Sequence, residues 1–346
     1  MLVSLVSLVS LVSLVSVALF TFATVLCLGF VYEQRSRRDD ARRFPPLGQL
    51  IDVGGHRLHF LVRGTEAPTV VFEQGAGGPS LAWLGVFEAV SEFARVCLYD
   101  RAGYQWSESV PGPRSIEERT KDLHALLLKA EVPGPYVLVA HSYGGFLVRL
   151  FAKEYPASVA GLVLIDTPHE TGYFEPDVLS FYSKMRWMLL AAGALSWAGL
   201  PRILTRWLSK PDPSLPAGRS EQINSGMVRR EYFAAASDDI ASLERAASWL
   251  VKPDAFPPLG DLPLAVVTHG KPFPGPFAVL EKSWRAGQEH LAALSTNSVF
   301  RVAEQANHMV QNDDPQAVIE AIRSVVARVR NARSAGVTPS GGSRTG

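Results

Sequence analysis

The chain is poor in cysteine and carries no excess of charge of either sign. Only Cys27 and Cys97 occur in 346 residues, one inside a long apolar stretch and one inside a short apolar run. Neither is placed for a metal cluster or a disulfide framework, and the pair leaves the redox compartment open. Charged residues make up 19% of the chain and nearly cancel, giving a formal net charge of +1. No one-sign field covers the surface, which argues against a nucleic-acid partner. Charged side chains are missing altogether between Leu2 and Tyr32. With that stretch set aside, about 300 residues remain, enough for one large α/β domain with an insertion.

The uncharged stretch is mainly Leu, Val, Phe and Ala, and opens with a Leu-Val-Ser repeat from Leu2 to Ser16. As a helix it is long enough to cross the ~30 Å hydrocarbon core of a bilayer. Its serines can bond back to their own helix and are tolerable in lipid. A cleaved signal peptide should begin with a basic region and end at a small-x-small site; the start here is uncharged and the stretch too long, so an uncleaved single-pass anchor is expected. Arg35, Arg37, Arg38, Arg42 and Arg43 follow it, and the positive-inside rule then puts the rest of the chain on the cytoplasmic side.

Beyond the anchor (1–32) and a linker (33–48, with Pro45-Pro46), Leu50 to Arg63 alternates around Gly54-Gly55 as a β-hairpin would. Apolar runs then recur at Thr69–Phe72, Val96–Tyr99, Tyr136–Ala140, Val159–Ile165, Leu262–Val267 and Ser298–Val302, with helix-length intervals between them. That alternation predicts a mostly parallel sheet covered by helices. The interval from Asp166 to Leu262 is too long for one crossover, and its helical stretches, Val178–Leu195 and Ser225–Leu250 among them, predict an inserted cap over about 169–252. The cap aromatics and methionines, such as Phe181, Tyr182, Met188, Trp197 and Trp207, fit either packing of the cap or an apolar substrate pocket. The domain is expected to run over 49–332, and the Ser/Gly/Thr/Arg-rich tail at 333–346 to be disordered.

The run Tyr136–Ala140 leads directly into His141-Ser142-Tyr143-Gly144-Gly145 and then into a helical stretch. A serine on such a strand-to-helix turn is the mark of a nucleophile elbow. The turn holds the serine in strained backbone, so Ala140, Gly144 and Gly145 must be small.

At this point the chain resembles the α/β-hydrolase family, in particular esterase-like members with a helical cap, over roughly Leu50 to Val329. Similar members carry a Gly-rich loop after the third strand, matched by Glu73-Gln74-Gly75-Ala76-Gly77-Gly78, and a D-R-x-G-x-x-x-S segment, matched by Asp100, Arg101, Gly103 and Ser107. Three positions depart from the family pattern: Ala140, Gln105 and Asn307 each stand where a Gly is usual. The resemblance implies an oxyanion hole made by the backbone N–H groups of Tyr143 and Ala76, donors aimed at the charge that builds on an acyl oxygen.

A serine hydroxyl needs a base. His308, after the last predicted strand, sits where the family's catalytic histidine sits. His141, His169 and His269 are less well placed. The acid is the open member. No Asp or Glu lies in Thr268–Leu280, and Asp261 precedes its strand, at the wrong end of the sheet. Asp166, closing the strand Val159–Ile165, is the choice, with Glu170 and Glu281 as fallbacks and an N-cap for the first cap helix as its bland reading. The implied activity is hydrolysis of a carboxylic ester through an acyl-enzyme, without metal or organic cofactor. Acyl transfer, C–C bond hydrolysis or a non-catalytic ligand-binding role on the same fold remain alternatives.

Overall fold

In the computed structural model, residues 2–211, 215, 218–252 and 254–335 are described, with side-chain surroundings from residue 12 onward. The expected hairpin is β1 (Gln49–Asp52) and β2 (Arg57–Arg63). It is followed by β3 (Thr69–Glu73), β4 (Arg95–Tyr99), β5 (Tyr136–His141), β6 (Val159–Ile165), β7 (Leu264–His269) and β8 (Ser298–Ala303). These eight strands form one sheet in the order β1-β2-β4-β3-β5-β6-β7-β8. β2 runs antiparallel to its neighbours β1 and β4, and every other pairing is parallel.

The helices are α1 (Leu2–Arg43), α2 (Leu84–Ser91), α3 (Ile116–Lys129), α4 (Gly144–Glu154), α5 (Glu170–Tyr173), α6 (Pro176–Leu195), α7 (Leu200–Leu208), α8 (Arg219–Met227), α9 (Arg230–Leu250), α10 (Glu281–Ala292), α11 (Val310–Asp313) and α12 (Pro315–Ser334). Their ends carry local signals. Ser115 and Glu118 close a capping box on α3, and Asp314 accepts from the Ala317 N–H where Pro315 opens α12.

The period of two along each strand divides the core. Val70, Phe72, Val137, Val139, Val163 and Ile165 face one layer with Phe87 of α2 and Val318, Ile322 and Val325 of α12. Val71, Leu138, Ala140, Leu162 and Leu164 face the other, with Leu123 and Leu126 of α3 and Val148 and Phe151 of α4. Both faces are therefore apolar, as a helix-covered parallel sheet requires. The carboxyl ends of β5 to β8 open on one edge, where ligands bind in folds of this kind.

Helices α5 to α9 fill the crossover from β6 to β7. The helical run read as Ser225–Leu250 is broken: α8 stops at Met227 and α9 starts at Arg230. Gly226 lies against the Gln105 side chain, and Arg229 takes an extended conformation that redirects the chain.

The largest departure from the sequence reading is at the amino end. Helix α1 continues through the segment 33–48 read as linker, as far as Arg43. Tertiary pairing holds that polar extension: Arg202 of α7 donates to Glu33 (Nε to Oε2, 2.7 Å) and to Asp40 (Nη1 to Oδ2, 2.6 Å). Arg37 pairs with Glu231 of α9 at 2.9 Å. Residues 336–346 of the predicted tail lie outside the described residues, and Arg333 and Ser334 still belong to α12.

Candidate active site

Strand β5 delivers Ser142 at the carboxyl edge with φ +49°, a left-handed conformation that costs a non-glycine residue about 1–2 kcal/mol. The turn is held by Ser142 N–H donating to the Ile165 carbonyl of β6 at 3.1 Å and by Gly145 N–H donating to the Ser142 carbonyl at 2.9 Å. Small neighbours are a steric necessity. A Cβ on Gly144 would come within 2.8 Å of the Gln74 carbonyl oxygen, and one on Gly145 within 2.6 Å of Thr167. Ala140 is fully buried in the sheet, so its methyl group is accommodated.

Strand β6 ends in Asp166, also left-handed at φ +46° and fully buried. The loop after β8 carries His308, whose Nε2 lies 3.2 Å from Ser142 Oγ and whose Nδ1 lies 2.6 Å from Asp166 Oδ2. Three residues from three loops thus form one hydrogen-bonded line. With Nδ1–H donated to the carboxylate, Nε2 presents its lone pair to the hydroxyl, the tautomer a general base needs. Asn307 replaces the usual Gly and fixes the loop: its N–H and Nδ2 donate to Asp313 Oδ2 at 2.7 and 2.9 Å.

Glu170 and Glu281 are not brought to His308. Glu170 is held by both terminal guanidinium nitrogens of Arg149 at 2.6 and 2.9 Å, and Glu281 Oε2 accepts from the Phe273 N–H at 2.9 Å. His169 caps α5. His141 is buried beside Ser142, its Nε2 2.9 Å from the His308 carbonyl, and burial with the neighbouring His308 lowers its pKa to about 3. It is a neutral donor that pins the His308 loop.

Sequence reasoning passed over His269. At the end of β7 its Nδ1 reaches both oxygens of Asp166, at 2.7 and 2.8 Å, and its Nε2 lies 3.4 Å from Glu281 Oε2. Asp166 Oδ1 also accepts from Thr268 Oγ1 at 2.9 Å and Trp284 Nε1 at 3.1 Å. Burial pushes the Asp166 carboxyl up, but the hydrogen bonds from His269 and His308 outweigh it and hold the group below the ordinary carboxylate range. Burial opposes the charge on His269, yet its bond to Asp166 and the nearby Glu281 raise its pKa. The available signal was a histidine closing the strand beside the one that Asp166 closes.

The Gly-rich loop follows β3. Arg101 binds its carbonyls, Nη1 to Gln74 at 2.7 Å and Nη2 to Gly75 at 2.8 Å, and Tyr104 Oη accepts from the Gly77 N–H at 3.0 Å. Among the described residues, neither the Ala76 N–H nor the Tyr143 N–H donates to a protein acceptor. Arg101 in turn bonds Glu73 and Asp239 of α9, and Asp239 also receives Tyr104 Oη at 2.6 Å and Arg119 Nε at 3.0 Å. The D-R-x-G segment therefore ties the loop to the cap. Gln105 takes φ +39°, in the left-handed region that favours Gly, and its Nε2 donates to the Ile223 carbonyl at 3.2 Å.

Ser142 is half-buried, and Phe273 and Trp284 stand beside His308 with ring centroids 5.4 and 5.2 Å away. The larger clefts lie elsewhere: about 430 Å³ between α6 and α9, and about 570 Å³ between α1 and α7. Among the described residues no group of three or more His, Cys, Asp or Glu is placed to hold a metal ion.

A family model described as the alpha/beta hydrolase family matches residues 70–321. The chain belongs to the α/β-hydrolase family. It is similar to a probable transporter of Hormonema carpetanum, 37% identical over 132 residues, covering 36% of this chain and 19% of that protein. It is also similar to an uncharacterized protein of Schizosaccharomyces pombe, 30% identical over 234 residues, 65% of this chain and 40% of that one. The chain thus spans well under half the length of these two relatives. Among solved structures it resembles a thermophilic esterase from Thermogutta terrifontis, with TM-score 0.59 and 21% identity over 81% of this chain and 97% of the other. That likeness is one of fold.

Proposed function

We propose that this α/β-hydrolase cleaves carboxylic esters through an acyl-enzyme, with Ser142 as nucleophile, His308 as general base and Asp166 as the acid that orients the imidazole. One observation carries the reading: the unbroken line from Ser142 Oγ through His308 to the buried carboxylate of Asp166. As Ser142 Oγ attacks the acyl carbon, its proton passes to His308 Nε2. The carbonyl oxygen becomes an anion within reach of the Ala76 and Tyr143 N–H groups, each such donor being worth about 3 kcal/mol in the transition state. His308 then returns the proton to the leaving alcohol, and water activated by the same imidazole releases the acid.

The substrate is a small-molecule or lipid-like ester. Helix α1 is long and apolar enough to cross a membrane, and on this reading it anchors the enzyme, with the arginines after it favouring a cytoplasmic catalytic domain. A fluorophosphonate probe and p-nitrophenyl butyrate test the chemistry. Labelling and turnover in the unaltered chain, lost in Ser142→Ala, support it; labelling that survives Ser142→Ala overturns it. Protease added to sealed and to lysed cells reads the side of the membrane.

A further inference from the structure

The cap aromatics divide into two sets. Phe181 and Tyr182 pack inward, Tyr182 stacked on Tyr173 at 4.7 Å and Phe181 against Phe277 at 5.0 Å. Trp187, Met188 and Trp207 do neither of the things expected of them: they are 68%, 72% and 83% exposed. Helix α7 concentrates this exposure. Leu200, Ile203, Leu204, Trp207 and Leu208 recur at the spacing of a single helical face, a stripe that normally turns to a core. Here all five are exposed, from 37% to 83%.

The opposite side of α7 is already engaged, because Arg202 is bound to Glu33 and Asp40 of α1. The helix is also held at a defined depth. The turn before it packs on α1 where the apolar stretch ends: a Cβ on Gly199 would lie 2.9 Å from the Tyr32 ring, Gly29 abuts the Ala198 backbone, and Phe30 stacks on Trp197 at 6.0 Å. The first charged residue of α1 is Glu33, one position beyond Tyr32. From there α7 leaves the axis of α6 at 101°. The exposed stripe thus lies beside the end of the exposed apolar stretch of α1, which includes Leu28, Phe30 and Val31. The cleft between the helices, lined by Tyr32, Ile203, Arg206 and Trp207, opens at the same level.

We propose that α7 is a second membrane contact, lying in the headgroup–acyl boundary of the bilayer that α1 crosses, with its leucine–tryptophan face in the lipid and Arg206 and Lys210 at the level of the phosphates. An apolar face beside exposed cations is the chemistry of an interfacial helix, and a Trp at the boundary matches the aromatic belt of spanning proteins. The cap is then seated on the membrane, and α6, which precedes α7, packs along α9 above the Gly-rich loop. This inference rests on the reading of α1 as a membrane span.

The test uses the full chain in phosphatidylcholine–phosphatidylglycerol vesicles and an environment-sensitive thiol fluorophore. Cys97 is buried, with its thiol pushed up to about 12, so the exposed Cys27 is the labelling site of the unaltered protein and reports on α1 itself. In a Cys27→Ser background, Trp207→Cys and, one turn earlier, Leu204→Cys report on α7. Leu128→Cys is the control, since Leu128 is 60% exposed on α3. Doxyl lipids quench from the membrane and iodide from water. The expected result is at least about twofold doxyl quenching at Cys27 and at both α7 positions, with iodide acting only at position 128. Doxyl quenching at Cys27 with iodide quenching at 204 and 207 would overturn the α7 contact and leave the anchor standing. No doxyl quenching at Cys27 would overturn the anchor and this inference with it. Shielding of 204 and 207 from both quenchers would put protein, a second copy of the chain, on the stripe and overturn the bilayer assignment.

Discussion

Asp166 and Asp239 are both buried carboxylates surrounded by donors, and they differ in what those donors can do. Asp166 is bound by two imidazoles, an indole and a hydroxyl. An imidazole can take up a proton and give it back during a reaction. Asp239 is bound by the guanidinium groups of Arg101 and Arg119 and by a tyrosine hydroxyl. Guanidinium groups stay charged at any working pH. The same acid in a similar degree of burial is, on the proposed mechanism, a place where a proton can be moved in one case and a permanent clamp between loop and cap in the other.

The comparison can be broken most sharply at the residues that Asp166 serves. Ser142→Ala and His308→Ala should each lower kcat for p-nitrophenyl butyrate on the order of 10⁴-fold or more, with melting curves close to the unaltered protein. Near-normal turnover in either would remove the assignment.

The two aspartates are then set against each other. Asp166→Asn should cut kcat on the order of 10⁴-fold, because an amide cannot hold His308 in the right tautomer. Glu170→Gln should leave kcat within about tenfold. Asp239→Asn should act through folding: it leaves two buried arginines short of a counter-charge, a loss of about 3–5 kcal/mol in urea unfolding. If Asp239→Asn kept full stability while abolishing turnover, the distinction between proton site and clamp would fail.

His269 sharpens the difference further. When protonated it competes with His308 for the charge of Asp166, so His269→Gln should leave that charge to His308 alone. The acid limb of kcat/KM should move to higher pH by about one unit. Stability gives an independent reading. The raised pKa of His269 in the folded chain contributes stability below its unfolded value of about 6.5, which is lost as pH rises through the folded value; His269→Gln should lack that loss. Asp166 has the opposite sign. Its depressed pKa contributes above about pH 4 and is lost on acidification, a loss that should be smaller in His269→Gln because the His269 hydrogen bond is the largest cause of the depression.

The smallest effect is expected at Gln105→Gly. Relief of the left-handed conformation, about 1 kcal/mol, is set against loss of the bond to Ile223 of similar size. Urea unfolding should change by less than about 1 kcal/mol.

The parallel sheet and the order of the elbow, Asp166 and His308 along the chain were legible because they depend on local pattern. Strand Val159–Ile165 is read to the residue, since both of its faces are covered and every position is apolar. What depends on distant pairing was not legible. The extension of α1 to Arg43 is held by Arg202 and Glu231 from the cap, so a polar stretch after an apolar one reads as linker. Likewise, nothing local to His269 reveals that Asp166 curls back at φ +46° to meet it. Break positions in the cap were missed for the same reason, Gly226 being shaped by its contact with Gln105.

Helix α1 joins the apolar segment to the domain as a strut rather than a string. It is 42 residues long without interruption, about 63 Å at 1.5 Å per residue. A flexible tether would let the domain explore a hemisphere and meet soluble esters from any side. A strut bolted to the cap by Arg202 and Arg37 holds the mouth of the site at one height and one tilt. On the proposed reading of α1 as an anchor and of an ester as substrate, reach becomes a selection rule, set by how far the ester carbonyl stands from the plane in which the strut is planted, before any contact inside the pocket is made.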